Sequence, residues 1–513
     1  MFSIIFWLFL STTWTLSRVS AGKDCAPRQY GASSMVCVCN ATYCDSREPI
    51  AEQHVTGGSC LLYTSTKAGL RLSPSLHTFN ATGGEGKAVT LHVDRSSKHQ
   101  EMIGYGGALT DSTAINIHSL SEEAGELLLQ SYFGESGSRY SLVRVPMGAS
   151  DFSTEYYSYD DVAGDTELKH FALRPLEDYR LKIPYLKRIR TMTGGRLKLF
   201  TCPWSAPYWM KDNGTAFGRS ALRLENYQPW AEYFARYLEE YARNNVTFWG
   251  LTPQNEPNQG GVHRVHIISM GWTAKQQRRW IAEHLGPTLQ RRGLLPGIKL
   301  MVYDDSGLYL PRYLESILKS NVTRNFASGV AIHAYHDDTL NPEIVASLVK
   351  QYPDLFFLYT EGAYLRQIQL QTLGSWEVGE YYGKSLFLSA NNGVAGWTDW
   401  NLALDPSGGP VWSDIPYNAP VIVNSTADEF YKQPSYYFLA HFSGFVPPGS
   451  RRVGLSGASG ELRAVAFLAP NNTTVVNLMN LSNKTLTTTV SDKEKGRVTL
   501  SLQARSIHTL LYK

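Results

Sequence analysis

The middle of the chain repeats one rhythm of apolar and polar positions. A short apolar run ends in polar or aromatic residues, and a stretch with helical spacing follows. The apolar runs are Met102–Tyr105, Tyr140–Val145, Leu197–Cys202, Val246–Thr252, Ile298–Val302, Gly329–His333, Leu355–Tyr359 and Val394–Thr398. Helical spacing is clearest over Ser121–Tyr132, Leu176–Thr193, Trp230–Arg243, Thr273–Leu285 and Pro342–Lys350. Strands alternating with helices at about 40 residues per unit predict an α/β fold, a (β/α)8 TIM barrel. A doubly wound open sheet is the competing reading. It usually has fewer strands, and no Gly-rich dinucleotide fingerprint follows any of these runs.

The two ends follow a different period. From about Arg451 the chain reads ELRAVAFLAP, TTVVNLMNLS, RVTLSLQA and SIHTLLYK, short alternating runs broken by Asn, Ser and Gly. That is the pattern of a β-sandwich. Leu61–Leu72 and Ala88–Val93 also read as strands and predict that the sandwich is discontinuous. The expected division gives residues 49–95 with 447–513 to the sandwich and 96–401 with 431–446 to the barrel. A small Cys-rich β unit takes 22–48 with part of 402–430.

The first residues change the picture of where the chain works. Ile4–Leu10 is an unbroken apolar run, and Val19-Ser20-Ala21 supplies the small residues of a cleavage site, so 1–21 reads as a signal peptide. The run is short of the ~20 residues a spanning anchor needs. Cys25, Cys37, Cys39 and Cys44 lie close together, as in a disulfide-stapled unit of an oxidising compartment. Spacing alone leaves three pairings open, and a zinc site is disfavoured because paired C-x-x-C knuckles are absent. Cys60 and Cys202 read as buried thiols. N-x-[ST] sequons make Asn40, Asn80, Asn213, Asn245, Asn321 and Asn424 glycosylation candidates, with further sequons at Asn471, Asn472, Asn480 and Asn483. The 513 residues are 43% hydrophobic and 18% charged with a net charge of +3, which excludes a disordered chain and an electrostatic nucleic-acid binder.

In a barrel, chemistry sits where the strands end. The fourth run ends LTPQNEPN and the seventh ends FFLYTEGAY, so Glu256 and Glu361 stand at the rim, where folding asks for no carboxylate. Two carboxylates across a barrel mouth are the machinery of glycoside hydrolysis: one donates a proton to the leaving oxygen, the other attacks the anomeric carbon. Asn255 can donate to a sugar hydroxyl. The other run ends supply Asp111, Arg144 (to orient a carboxylate), Trp204 and Trp400 (to stack on a pyranose), Tyr335 (to hold the nucleophile) and His333 (to support it). Each has a plainer alternative: an N-cap for Asp111, an ion pair for Arg144, core packing for the rings and for His333. No H-E-x-x-H, phosphate loop or G-x-S-x-G is present, so no metal, nucleotide cofactor or serine nucleophile is expected.

These residues resemble the lysosomal glucosylceramidase family, the acid β-glucosidases of glycoside hydrolase family 30. The resemblance runs through VCVCNATYCDS, GGALTD, RVPM, NEP, GWTDWNLAL, FYKQP and RVGL. It implies a retaining mechanism with Glu256 as acid/base and Glu361 as nucleophile, and glucose held by Asp111, Trp204, Asn255 and Trp400. It implies disulfides Cys25–Cys37 and Cys39–Cys44, an immunoglobulin-like sandwich, and no cofactor. It implies glucosylceramide as substrate at a membrane surface of the lysosome, peripheral membrane association, and help from a saposin-type activator and anionic phospholipid. Ala334 and Ile415 depart from the family pattern, where Trp and Asn are expected, and the loop after Glu256 diverges. A related β-xylosidase or β-glucanase, and a catalytically dead carbohydrate- or lipid-binding glycoprotein, are the competing functions. The presence of both carboxylates argues against the second.

Overall fold

The computed structural model describes residues 22–48, 50–80, 89–261, 267–337, 341–364, 373–412 and 417–513. The leader 1–21, part of the divergent loop after Glu256 and Ile415 lie outside these residues. The barrel strands are β1 (Gly104–Ala108), β2 (Leu142–Met147), β3 (Lys198–Pro203), β4 (Gly250–Leu251), β5 (Lys299–Ser306), β6 (Ala327–His333), β7 (Phe356–Glu361) and β8 (Gly396–Asn401). Each pairs in parallel with the next, and β8 closes on β1. The predicted strand order holds. Two predicted helices are interrupted. Leu176–Thr193 becomes a π-helical turn, Pro175–Lys182, followed by an α-helix, Ile183–Met192. Thr273–Leu285 is likewise split by a π turn at Ile281–Leu285. In each case a proline, Pro184 or Pro287, follows the π turn, and its missing N–H breaks the α ladder there.

The barrel interior is built in layers by the two-residue period of its strands. Leu142, Phe200, Met301, Ala331 and Leu358 form an apolar cluster in the lower barrel. Two residues further along β2, β3, β6 and β7 come Arg144, Cys202, His333 and Thr360, all buried. On β5 the period breaks: the register against β6 shifts between Tyr303 and Asp305. This bulge brings Asp304 into the polar layer. A second shift sets Glu361 opposite His333. The intervening residues, such as Val143, Leu199, Val330, Ile332, Phe357 and Tyr359, belong to the large core outside the barrel wall.

The other strands make two further sheets. A nine-stranded sheet combines Ser59–Thr66, Ser73–Thr78 and Val89–Glu101 with the six strands from Arg451 to Tyr512. It doubles over itself: Leu62, Ala464, Val476, Leu478 and Leu510 share one buried cluster with Val490, Val498 and Leu500 from its far edge. The alternate side chains Leu61, Val465, Val475, Met479, Ile507 and Leu511 join the barrel's core instead. A small five-stranded sheet carries Val36–Asn40 and Glu429–Lys432 side by side, with disulfides Cys25–Cys37 and Cys39–Cys44. The helix Pro434–Ser443, buried at every residue, lies between barrel and sandwich. It approaches the helix Trp376–Asn391 closely because Gly379 and Gly383 face Phe438; a Cβ at either would stand 2.6–2.7 Å from that ring. Asn480 is fully buried, and its amide donates to the carbonyls of Lys484, Leu502 and Gln503, which withdraws it as a glycan acceptor.

The barrel–sandwich contact also holds two buried histidines. His441 bonds Thr509 Oγ1 at 2.8 Å and Ser65 Oγ at 2.9 Å; His508 bonds Thr64 Oγ1 at 2.9 Å and Ser506 Oγ at 2.7 Å. Burial pushes His508 down to about 3 and His441 well below its ordinary value, the latter helped by His508. The unfolded chain takes up these protons near pH 6.5 and the folded one does not, so stability is full above about 6.5 and is lost as the pH falls towards 3. Between pH 7 and 4.5 the His508→Gln variant should therefore lose less resistance to chemical denaturation than the wild type, because it lacks one of these unprotonated histidines. An equal loss in the variant contradicts this account.

Candidate active site

Glu361 is the last residue of β7, and Glu256 lies beyond β4 with a left-handed backbone, φ +43°. That conformation is costly for a residue with a side chain and needs tertiary support. Support comes from the bulge on β5: the Glu256 N–H donates to Asp304 O at 2.9 Å. Tyr303 and Asp304 are themselves left-handed, φ +86° and +66°. Strain at the mouth is thus concentrated where the two loops meet.

The charged groups form one network. Tyr335 OH and Arg144 Nη1 each donate to one oxygen of Glu361. Arg144 Nη2 donates to Asp304 Oδ2 and to Asn255 Oδ1, both at 2.9 Å. His333 places Nδ1 3.1 Å from Glu256 Oε1 and Nε2 3.2 Å from Asp304 Oδ1. Asp304 accepts further bonds from Thr252 Oγ1 and Thr360 Oγ1, both at 2.6 Å, and from Cys202 Sγ at 3.0 Å. Burial alone would raise Asp304, but Arg144 and the bonds from His333 and Cys202 hold it well below the usual carboxylate range. Burial opposes a charge on His333, yet Glu361, Asp304 and Glu256 outweigh it and raise the ring to about 10. Carboxylate oxygens of Glu256 and Glu361 and a nitrogen of His333 all lie within 4.8 Å of one another, a spacing that can hold a cation. With the ring charged, His333 lies between the two glutamates and Asp304 as their shared cation, and the four groups form one ion network.

The rings of Trp204 and Trp400 stack on each other, centroids 5.0 Å apart, and both are almost fully buried. Arg144 lies against both, 4.9 and 5.4 Å from their centroids. Asn255 has its carbonyl engaged by Arg144, which turns its amide N–H groups away from the guanidinium. The structure therefore brings Glu256, Glu361, Asn255, Arg144, His333, Tyr335, Trp204 and Trp400 together.

Asp111, expected to hold the sugar, is engaged with a separate set of residues. Thr110, not Asp111, caps the following helix. The buried Asp111 carboxylate accepts from Ser153 Oγ and Tyr157 OH and lies 3.0 Å from Lys182 Nζ. This pairing is strong enough to keep a fully buried lysine charged: burial lowers Lys182, but Asp111 and Asp178 outweigh it. The carboxylate that feels the two glutamates is Asp151. Burial first, then the charges of Glu361 and Glu256, push it up to about 8, and its Oδ1 has no partner among the described residues. Its loop is tied to Asp111 through Ser153 and to the next residue, Ser112, whose N–H donates to Phe152 O at 3.0 Å. Asp151 and Asp304 were missed by reading the sequence. Asp304 sits in VYDDS at the end of the fifth run, and Asp151 in MGASDF just past the second; reading every run end to the next helix would have found both.

Two family models match the chain: the glycosyl hydrolase family 30 TIM-barrel domain over residues 102–446 and the glycosyl hydrolase family 30 beta sandwich domain over 449–510. The chain is 37% identical to the lysosomal acid glucosylceramidase of Mus musculus, over 99% of this chain and 98% of that one. It is 39% identical to putative glucosylceramidase 3 of Caenorhabditis elegans, over 96% of each. Among solved structures it is similar to SrfJ from Salmonella typhimurium, with a TM-score of 0.83 and 25% identity over 89% of this chain and 99% of that one.

The buried network makes Asp304 a positioning residue with a measurable cost. Asp304→Asn leaves Arg144 and His333 without their shared counter-charge, and should cost ~3–5 kcal/mol of stability in denaturant unfolding. A loss below ~1 kcal/mol would show that the network does not depend on that charge.

Proposed function

The chain belongs to glycosyl hydrolase family 30, and from that membership we propose that it is a retaining β-glucosidase that hydrolyses glucosylceramide to glucose and ceramide. One observation carries the mechanism. Glu256 and Glu361 approach across His333 with carboxylate oxygens within 4.8 Å. Retaining glycosidases hold their carboxyl groups about 5–5.5 Å apart, whereas inverting ones need about 6.5–9.5 Å to admit a water between them.

Glu361, fixed by Arg144 and Tyr335, attacks the anomeric carbon. Glu256 gives its proton to the glycosidic oxygen as the bond to ceramide breaks, leaving a covalent glucosyl ester on Glu361. Glu256 then takes a proton from water, the hydroxyl adds to the anomeric carbon, and glucose leaves with its configuration retained. Asn255, its carbonyl held by Arg144, donates through its amide to the sugar, and Asp151 accepts from sugar hydroxyls with its unpartnered oxygen. Trp204 and Trp400 wall the site.

The aglycone reading rests on the named relatives and on the rim. Exposed Leu224, Leu308, Tyr309 and Trp412 lie in segments that follow β3, β5 and β8, at the face where chemistry sits. No helix among the described residues is long and apolar enough to cross a membrane, which fits peripheral contact. The leader, the sequons and the lysosomal relative support delivery to the lysosome through the secretory pathway. A saposin-type activator and anionic phospholipid complete the proposal as agents that present the lipid.

Glu361→Gly should lower hydrolysis of an activated aryl β-glucoside by at least ~10⁴-fold, and azide should restore turnover with α-glucosyl azide as product, because attack in the emptied space inverts the centre once. Residual wild-type activity, or a β-azide product, contradicts the assignment. Faster turnover of an aryl β-xyloside than of glucosylceramide in detergent would overturn the substrate.

A further inference from the structure

Glu256 keeps its left-handed backbone, φ +43°, against the preference of its own sequence. Pro257 follows it, and the residue before a proline is driven towards extended conformations. Pro257 also has no N–H. The next backbone donor that can anchor this turn to its surroundings is therefore that of Asn258.

The bulge on β5 takes both available donors with two consecutive residues. The Glu256 N–H donates to Asp304 O, and the Asn258 N–H donates to Asp305 Oδ2 at 2.9 Å. The Asn258 side-chain amide donates to the same oxygen, also at 2.9 Å. The other oxygen, Oδ1, accepts from the Ser306 N–H at 2.7 Å, which fixes the carboxylate against its own strand. The turn after β4 is thus clamped at its start by a main-chain oxygen and two residues later by a side chain.

Asp305 is buried, and among the described residues it has no ion-pair partner; Arg144 and His333 pair with its neighbour Asp304 instead. A buried carboxylate without a cation costs stability, so packing gives no reason for it. Its compensation is three hydrogen bonds, and two of them go to Asn258. Burial, then the charge of Glu256, pushes Asp305 up to about 6, which puts the two carboxylates within electrostatic reach of each other.

We propose that Asp305 is a positioning residue for proton transfer: through Asn258 it fixes the turn after β4 so that the Glu256 carboxyl meets the glycosidic oxygen. This rests on Glu256 being the acid/base. Without Asp305 the turn relaxes towards the extended form that Pro257 favours and carries the Glu256 carboxyl off line. Glu361, held separately by Arg144 and Tyr335, stays in place. The loss therefore falls on protonation of the leaving group and spares nucleophilic attack.

That asymmetry is the test. Phenyl β-glucoside needs a proton on its departing oxygen; dinitrophenyl β-glucoside does not, because its phenolate leaves as the anion. The ratio of kcat/KM for the two reports proton donation, whereas a fall in the amount of folded enzyme lowers both alike. Asp305→Ala should lower kcat/KM about 10–100-fold on the phenyl substrate and less than about threefold on the dinitrophenyl one. Glu256→Ala is the reference and should show the same selectivity more strongly. If Asp305→Ala fails to fold, Asn258→Ala, which removes only the amide bond, is read in the same way and should show a selective loss of about threefold to tenfold. Selectivity in Glu256→Ala with an equal loss on both substrates, or none, in the Asp305 or Asn258 variant overturns the positioning role alone. No selectivity in Glu256→Ala overturns the acid/base assignment, and the positioning role with it.

Discussion

Two carboxylates that must face one sugar repel each other, and the rest of the site is arranged around that repulsion. Glu256 and Glu361 have Arg144 and His333 packed against them, and Asp304 in turn holds those two cations in place. Remove Asp304 and the two cations lose their common anchor. The arrangement is expensive, because all of these charges except the partly exposed Glu256 are buried in the barrel, and it is tolerable only because every member is paired.

The fold supplies this network through irregularities rather than through regular strands. A barrel of uniform strands would alternate side chains inward and outward without interruption. The bulge at Asp304 and the register shift before Glu361 bring those two carboxylates into the polar layer, beside Arg144 and His333. Below that layer the apolar cluster around Leu142, Phe200 and Leu358 seals the barrel floor. Outside it, the sandwich packs one face onto the barrel through the helix Pro434–Ser443, so both ends of the chain brace the frame that carries the site.

The barrel was legible in the sequence because its signal is periodic and repeated, and the two glutamates were legible because a charge at the end of an apolar strand has no packing reason to be there. The limits have physical causes. Asp111 was assigned to the sugar through the resemblance of GGALTD, and sequence cannot show that Lys182, far along the chain, pairs with that carboxylate. Asp151 belongs to a loop whose position is set by Ser153 and Phe152 meeting the next helix, a tertiary contact with no local pattern. Asp304 depends on a bulge that breaks the very period used to read the strand. The tryptophans fall between: Trp204 and Trp400 do gather at the site, but as a buried stacked pair beside Arg144 rather than as open platforms.

The central claim is that Glu361 is the nucleophile of a retaining β-glucosidase. The most direct measurement is covalent labelling with a β-glucose-configured cyclitol epoxide, followed by peptide mapping of the modified residue. The account predicts one equivalent of label, carried as an ester on Glu361, with activity lost in step. Label on Glu256 or Asp151, or full activity after exhaustive treatment, would contradict it.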